Sequence, residues 1–274
     1  MAERLDRLPI KHWSYSSLMA YLRNPLAWYK RYVEQVYDIP ATPGSIVGRA
    51  CHKALEHFYS GLGKEAAVEL GLEYLRGVSD FEINFGKARS RLARKKKRAA
   101  MEREYLQAIG FFLKRPPRYD VLGVEVRGTA DVPGLLLPVR AVSDLVARSK
   151  TDKNALDIVD YKFVDSFSAL GNQKALFIIQ AIFNYYAVGQ TMGLPVRRFI
   201  LHECKKRKNA DGSSQLKRYV ITFDEQSEEF AIFRKLVNDA TLDLARRRVF
   251  LPNPSDLFEG EESFDIYRLG LVEE

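Results

Sequence analysis

Leu156-Asp157-Ile158-Val159-Asp160-Tyr161-Lys162-Phe163 is the stretch on which the fold turns. Its β-branched and aromatic residues predict a buried strand. Alternate residues of a strand share a face, so Asp160 and Lys162 point to one side with Ile158 behind them. Val159, Tyr161 and Phe163 take the opposite side, and the odd offset of Asp157 removes it from the Asp160 face. A carboxylate and an ammonium two residues apart at a strand end can hold a metal ion and polarise a water beside it. Taken alone, the D-x-K pattern reads more readily as an ordinary surface ion pair across a strand.

Sixteen residues before Asp160, a second acid sits in an apolar β-rich run, Ser143-Asp144-Leu145-Val146-Ala147-Arg148. A hairpin through Ser149–Asn154 would pair the two strands and let Asp144 and Asp160 converge on one cation. Two carboxylates completed by water and a phosphate suit Mg²⁺ or Mn²⁺. Asp131 competes with Asp144 for this role, but it lies in the Pro- and Gly-bearing segment Gly128–Pro138, where aspartate serves local turns.

Outward from this pair, the pattern predicts an α/β fold with a mixed central sheet flanked by helices. Strands are expected at Val121–Arg127, Arg140–Ala147, Ala155–Phe163, Val196–Cys204 and Leu216–Phe223. Helices are expected at Trp13–Tyr32, broken at Pro25, at Ile46–Ser60, at Ser168–Met192 and at Glu225–Arg247. Ser14 or Ser16 offers an N-cap for the first. Lys64–Leu113 reads as a mostly helical insertion, and Leu251–Glu274 as an irregular acidic tail. The whole, 1–274, forms one domain by this reading: a helical N-terminal part and insertion over about 12–115, and an α/β core over about 119–250. No Gly-rich phosphate loop follows the first strand, which argues against a nucleotide-binding fold.

Composition sets the partner class. Hydrophobic residues make up 46% and charged residues 28%, the balance of an ordinary globular protein. Two cysteines, Cys51 and Cys204, are too few for a disulfide framework, which fits a reducing cytoplasm. No signal peptide or membrane span is expected, since the apolar run Ala175–Ala187 is short and interrupted by Gln180 and Asn184. The net charge of +8 favours a polyanion, through counterion release from phosphates. Eight of the twelve residues Lys87–Arg98 are basic. They read either as a solvated helix face or as a phosphate-binding surface, with Arg94, Lys95, Lys96, Lys97 and Arg98 as candidate contacts and Lys205 and Lys206 as a second group.

Further stretches complete an ordered set. Ser14-Tyr15-Ser16-Ser17-Leu18 with Tyr21 and Asn24-Pro25 comes first, then Gly48-Arg49-Ala50-Cys51-His52, Gly123-Val124-Glu125, Asp144, Asp160-Tyr161-Lys162, and Gln180 with Tyr185. In this order the chain resembles a RecB-type nuclease of the PD-(D/E)XK superfamily, the group that includes nuclease domains of bacterial recombination helicases and several phage exonucleases. The resemblance spans roughly residues 14 to 190 and implies a restriction-endonuclease-like core. It also implies that His52 is a metal ligand with Asp144 and Asp160, and that the Tyr161 carbonyl is a further ligand. Gln180 would position the metal site or the DNA backbone, with Glu125 and Tyr185 supporting.

Two features depart from the pattern. Relatives with an iron–sulfur cluster carry a cysteine where Asn24 stands and three more near the C-terminus, so no cluster is expected here. The tyrosine after Gln180 falls one residue late, with Asn184 in its place. Cys51, His202 and Cys204 read as packing residues. The resemblance implies a Mg²⁺- or Mn²⁺-dependent DNA nuclease, an exonuclease by analogy with the phage enzymes, in the cytoplasm of a bacterial or phage-infected cell. It would act in recombination, repair or phage DNA processing, with a recombination protein as a further partner. An endonuclease, or a silent DNA-binding protein of the same fold, are the alternatives.

Overall fold

The computed structural model describes residues 8–36, 40–168, 174–225, 227–246 and 249–253. Among them run six strands: β1 (Trp13–Ser14), β2 (Val121–Ala130), β3 (Val139–Arg148), β4 (Leu156–Val164), β5 (Val196–Lys205) and β6 (Leu216–Thr222). Seven α-helices accompany them: α1 (Tyr15–Arg23), α2 (Pro25–Tyr32), α3 (Pro43–Tyr59), α4 (Lys64–Gly77), α5 (Arg91–Lys114), α6 (Lys174–Met192) and α7 (Glu228–Arg246). The result is a mixed six-stranded sheet flanked by helices, as the pattern of the chain predicts.

Strands β2, β3 and β4 form an antiparallel meander, with Val124 opposite Leu145 and Leu145 opposite Val159. Helix α6 then carries the chain to β5, which lies parallel to β4 with Asp160 beside Leu201, and β6 closes the far edge antiparallel to β5. One face of β4 packs Val159, Tyr161 and Phe163 against α3 and α5, with Cys51, Tyr105 and Phe112. Ile158, on the other face, packs with Ala181 and Val188 of α6. A third cluster around Trp13, Trp28, Phe183 and Phe233 ties α1 and α2 to α6 and α7.

The sheet has a gap. β2 occupies one edge of β3 along its length, so β1 and β4 must share the other. β1 pairs there only at Val139 and Arg140, parallel, and β4 only from Leu145 to Arg148. Between them the edge over Ala141–Asp144 has no strand partner among the described residues.

Several bounds shift from the expected ones for physical reasons. Trp13–Ser14 is strand, not helix; Ser14 Oγ caps α1 by accepting from the Ser17 amide. Asn24 ends α1 and caps α2 through the Ala27 amide, so Pro25 takes the first helical position, where its missing N–H costs nothing. α3 starts earlier than expected, at Pro43 behind a Thr42 cap. β2 runs on through Gly128, because a glycine there lets the strand press against Ala187 and Thr191 of α6. The expected start of α6 near Ser168 falls partly on 169–173, and most of the acidic tail on 254–274, both outside the described residues.

Candidate active site

Asp144 and Asp160 stand one residue past the last β3–β4 pair, Leu145–Val159, so continuing that register sets them opposite each other. Here the ladder opens, and a side chain takes over from backbone: the Tyr161 amide donates to Asp144 Oδ2 at 2.9 Å. The other Asp144 oxygen lies 3.2 Å from His52 Nδ1, which α3 brings in over the strand ends. Gln180, from α6, donates through Nε2 to Asp160 Oδ1 at 2.9 Å. Lys162 Nζ lies 2.8 Å from Asp160 Oδ2. Its approach supplies no well-angled hydrogen bond, so this buried oxygen is left with unmet acceptor capacity.

The charges are strongly coupled. Burial opposes the ionised form of Asp144, but His52 and Lys162 overcome it and hold the carboxyl below its ordinary range. Burial raises the pKa of Asp160, the charge of Asp144 adds to that, and Lys162 pulls the other way; the net direction is up. Burial likewise opposes the charged forms of His52 and Lys162, yet the adjacent carboxylates raise both pKa values. Lys162 therefore stays an ammonium, suited to stabilising negative charge and unsuited to taking a proton from water.

Glu125 lies on β2 level with Asp144, between the pairs Val124–Leu145 and Val126–Ser143. Its φ of 50° is the left-handed region, a conformation costing a non-glycine residue about 1–3 kcal/mol. Burial, then Asp144 and Glu56, raise its pKa. A strained acid facing two others is the electrostatic setting that a cation relieves.

Other expected residues sit elsewhere. Tyr185 donates to Glu225 and packs on Phe223 and Phe230, away from the two aspartates. Asn184, in its expected place, is buried between the Ser143 hydroxyl and the Gln180 carbonyl and locks α6 to β3. Arg94, Lys95, Lys96 and Lys97 are exposed on α5, whereas Arg98 is tied to Asp80 and the Val78 carbonyl. Lys206 is no surface cation: it is buried, with Nζ 3.0 Å from Asp165. Lys205 is half-buried and donates to Asn209. Asp157, set aside by parity, pairs with Arg198. Asp131 is exposed in the turn. Tyr15 was not singled out as a site residue, although the electrostatic influence of Lys162 and Asp160 reaches its hydroxyl. Its place directly after the Ser14 cap was the available signal.

A sequence profile described as the PD-(D/E)XK nuclease superfamily matches residues 12–257. The chain belongs to that superfamily. Among solved structures, the crystal structure of SSO0001 aligns with 88% of this chain and 84% of its own, at 13% identity and a TM-score of 0.32. No curated protein matches. PD-(D/E)XK nucleases use divalent metal ions, usually Mg²⁺ or Mn²⁺. Among the described residues no three His, Cys, Asp or Glu side chains form a ready-made metal cage. Mg²⁺ is commonly held by one or two carboxylates with water and substrate oxygens. The carboxylates of Asp160 and Asp144 are hard donors of this kind. No helix among the described residues is long and apolar enough to cross a membrane.

Proposed function

We propose that this PD-(D/E)XK nuclease is a RecB-like, Mg²⁺- or Mn²⁺-dependent DNA exonuclease serving recombination, repair or phage DNA processing. The observation that carries the nuclease reading is the buried Asp160 carboxylate, with Oδ2 2.8 Å from the Lys162 ammonium and Asp144 opposite. The exonuclease assignment rests on the resemblance to the phage enzymes.

Asp144 and Asp160 would hold the divalent ion, with His52 and the Tyr161 carbonyl as further donors. When bound, the ion lowers the pKa of a coordinated water and neutralises charge on the scissile phosphate. Lys162, kept protonated by Asp160, stabilises the charge that builds on the phosphorus oxygens. Gln180 holds Asp160 Oδ1 and so fixes the carboxylate beside Lys162. Glu125 adds negative potential behind Asp144.

The test is degradation of linear and closed-circular DNA by purified protein with Mg²⁺, Mn²⁺ or EDTA, beside Asp160→Asn and Lys162→Ala. Loss of linear DNA alone, only with metal, is expected. Asp160→Asn should abolish it, and Lys162→Ala should slow it by about 10²–10³-fold, as for other charge-stabilising donors. Cutting of circles would make the protein an endonuclease. Wild type and variants equally inert, with DNA binding retained, would replace the nuclease reading by a binding protein.

A further inference from the structure

Helix α5 begins with a stripe of cations. Arg91, Arg94, Lys95 and Arg98 recur three and four residues apart, so they share one flank of the helix. The segment before the helix runs along that flank. Asp80 Oδ1 lies 2.6 Å from Arg98 Nε, and the Val78 carbonyl accepts from the same guanidinium at 2.6 Å. One turn back, the Arg94 guanidinium lies 5.8 Å from the centre of the Phe85 ring. Between these contacts a single 3₁₀ turn, Asp80–Glu82, holds the Phe81 side chain 92% exposed.

The turn is fixed on both sides of that ring. The Glu82 carboxylate accepts from the Ser79 amide at 3.0 Å. The Glu82 carbonyl accepts from the Ala41 amide, the Asn84 amide donates to the Ala41 carbonyl, and Ile83 between them is buried in the core. The backbone therefore presents nearly the whole phenyl ring to solvent in one place, which leaves little ordering to be done on contact.

Charge and size select the partner. Lys87, Arg89, Arg91, Arg94 and Lys95 are exposed and have no carboxylate partner among the described residues, whereas Asp80 is taken up by Arg98. Across Lys64–Tyr105 the large apolar side chains left exposed are Phe81 and Leu92. Two side chains fall far short of a protein interface, which covers about 800 Å² on each partner around an apolar centre. A single ring beside guanidinium and ammonium groups matches one nucleobase and its flanking phosphates.

We propose that Phe81 is a stacking platform for an unpaired base of a single DNA strand, whose phosphates run along the cationic flank of α5. The proposal rests on the nuclease reading for its substrate, and narrows that substrate to DNA with an unpaired stretch. A base inside a duplex has both faces covered by its neighbours, so the ring meets a strand that is already open. The ring carries no charge, so the salt dependence of binding comes from the cations alone.

The experiment measures binding in EDTA, where nothing is cut. Three fluorescein-labelled probes are titrated by anisotropy across a salt series: a 12-nucleotide single strand, the same backbone with abasic sites throughout, and the blunt duplex of the first sequence. Wild type and Phe81→Ala are compared with Ile232→Ala, an exposed apolar side chain on α7. Phe81→Ala should weaken single-strand binding about tenfold, the worth of one stacked base, with the slope of log K against log salt unchanged. Its binding to the abasic strand and to the duplex should match wild type. Phe81→Trp should bind as wild type does, and its fluorescence should be quenched by the single strand but not by the abasic one. Trp13 and Trp28 are fully buried, so wild type shows no comparable quench.

Phe81→Ala matching Ile232→Ala on the single strand, equal losses on all three probes, no quenching of Phe81→Trp, or a wild type that binds no probe each overturn the proposal. Base-dependent binding through Phe81 by a wild type that cuts nothing with Mg²⁺ or Mn²⁺ leaves the platform standing while the nuclease reading falls. Metal-dependent cutting, with Phe81→Ala binding the single strand as tightly as wild type, does the reverse.

Discussion

His202 is a buried imidazole with half of its hydrogen bonding unmet. Its Nε2 lies 2.6 Å from the Tyr119 hydroxyl, its Nδ1 has no partner, and its ring stacks on Tyr161. Burial, helped by Arg218, pushes its pKa down to about 4 from an ordinary 6.5. The unfolded chain therefore binds a proton that the native state refuses between these values, and stability present above pH 6.5 is lost as pH falls towards 4. At about 1.4 kcal/mol per unit, the full loss is on the order of 3 kcal/mol. Urea midpoints measured from pH 7 to pH 5 should fall in the native protein and hold nearly level in His202→Phe; parallel curves would move the acid sensitivity to other groups. The sequence already marked His202 as packing, because no further Cys or His stood near it. Asp160 and Lys162 were legible for a related reason: strand alternation is local, and D-x-K puts both on one face. The gap beside Ala141–Asp144 was not, since it depends on β1 pairing with β3 across more than a hundred residues.

At the scale of elements, the site depends on how closely α6 approaches the sheet. Gly128 sits where a Cβ would come within 2.5 Å of the Ala187 carbonyl and 2.4 Å of the Thr191 hydroxyl. Fixed backbone cannot yield as a flexible side chain can, so Gly128→Ala must push α6 outward or bend β2. Overpacking of this kind costs about 1–3 kcal/mol. The same helix carries Gln180 and Asn184, so nuclease activity should fall by more than the lost stability explains, with kcat affected more than KM. A variant of lowered Tm but unchanged kcat would show that Gln180 reaches Asp160 independently of the packing. The strands and helices around this contact follow from periodicity and caps in the sequence. The short β1 did not, because Trp13 and Ser14 continue an apolar pattern that suits a helix equally well, and only pairing with Val139 and Arg140 decides it.

Across the whole molecule, the excess of positive charge is unevenly placed. The second half of α5 buries Met101, Tyr105, Ile109 and Phe112 against the sheet, while its first half carries Arg94, Lys95, Lys96 and Lys97 in solvent. No acid stands in its first turn. Like charges three and four residues apart on a helix repel one another at a few tenths of a kcal/mol per pair, so this arrangement works against the stability of the free protein. A polyanion reverses the sign, meeting the lysines and the positive helix end together. Replacing Lys95, Lys96 and Lys97 together by Gln should therefore move two quantities in opposite senses. Tm should stay level or rise, because the unfavourable charges are gone and no buried contact is touched. Affinity for duplex DNA should fall, and the slope of log K against log salt should shrink by up to about 2.7, the share of three phosphate contacts. Thermal unfolding and a salt series on one duplex measure both. A slope that stays unchanged would make this half of α5 an ordinary solvated face.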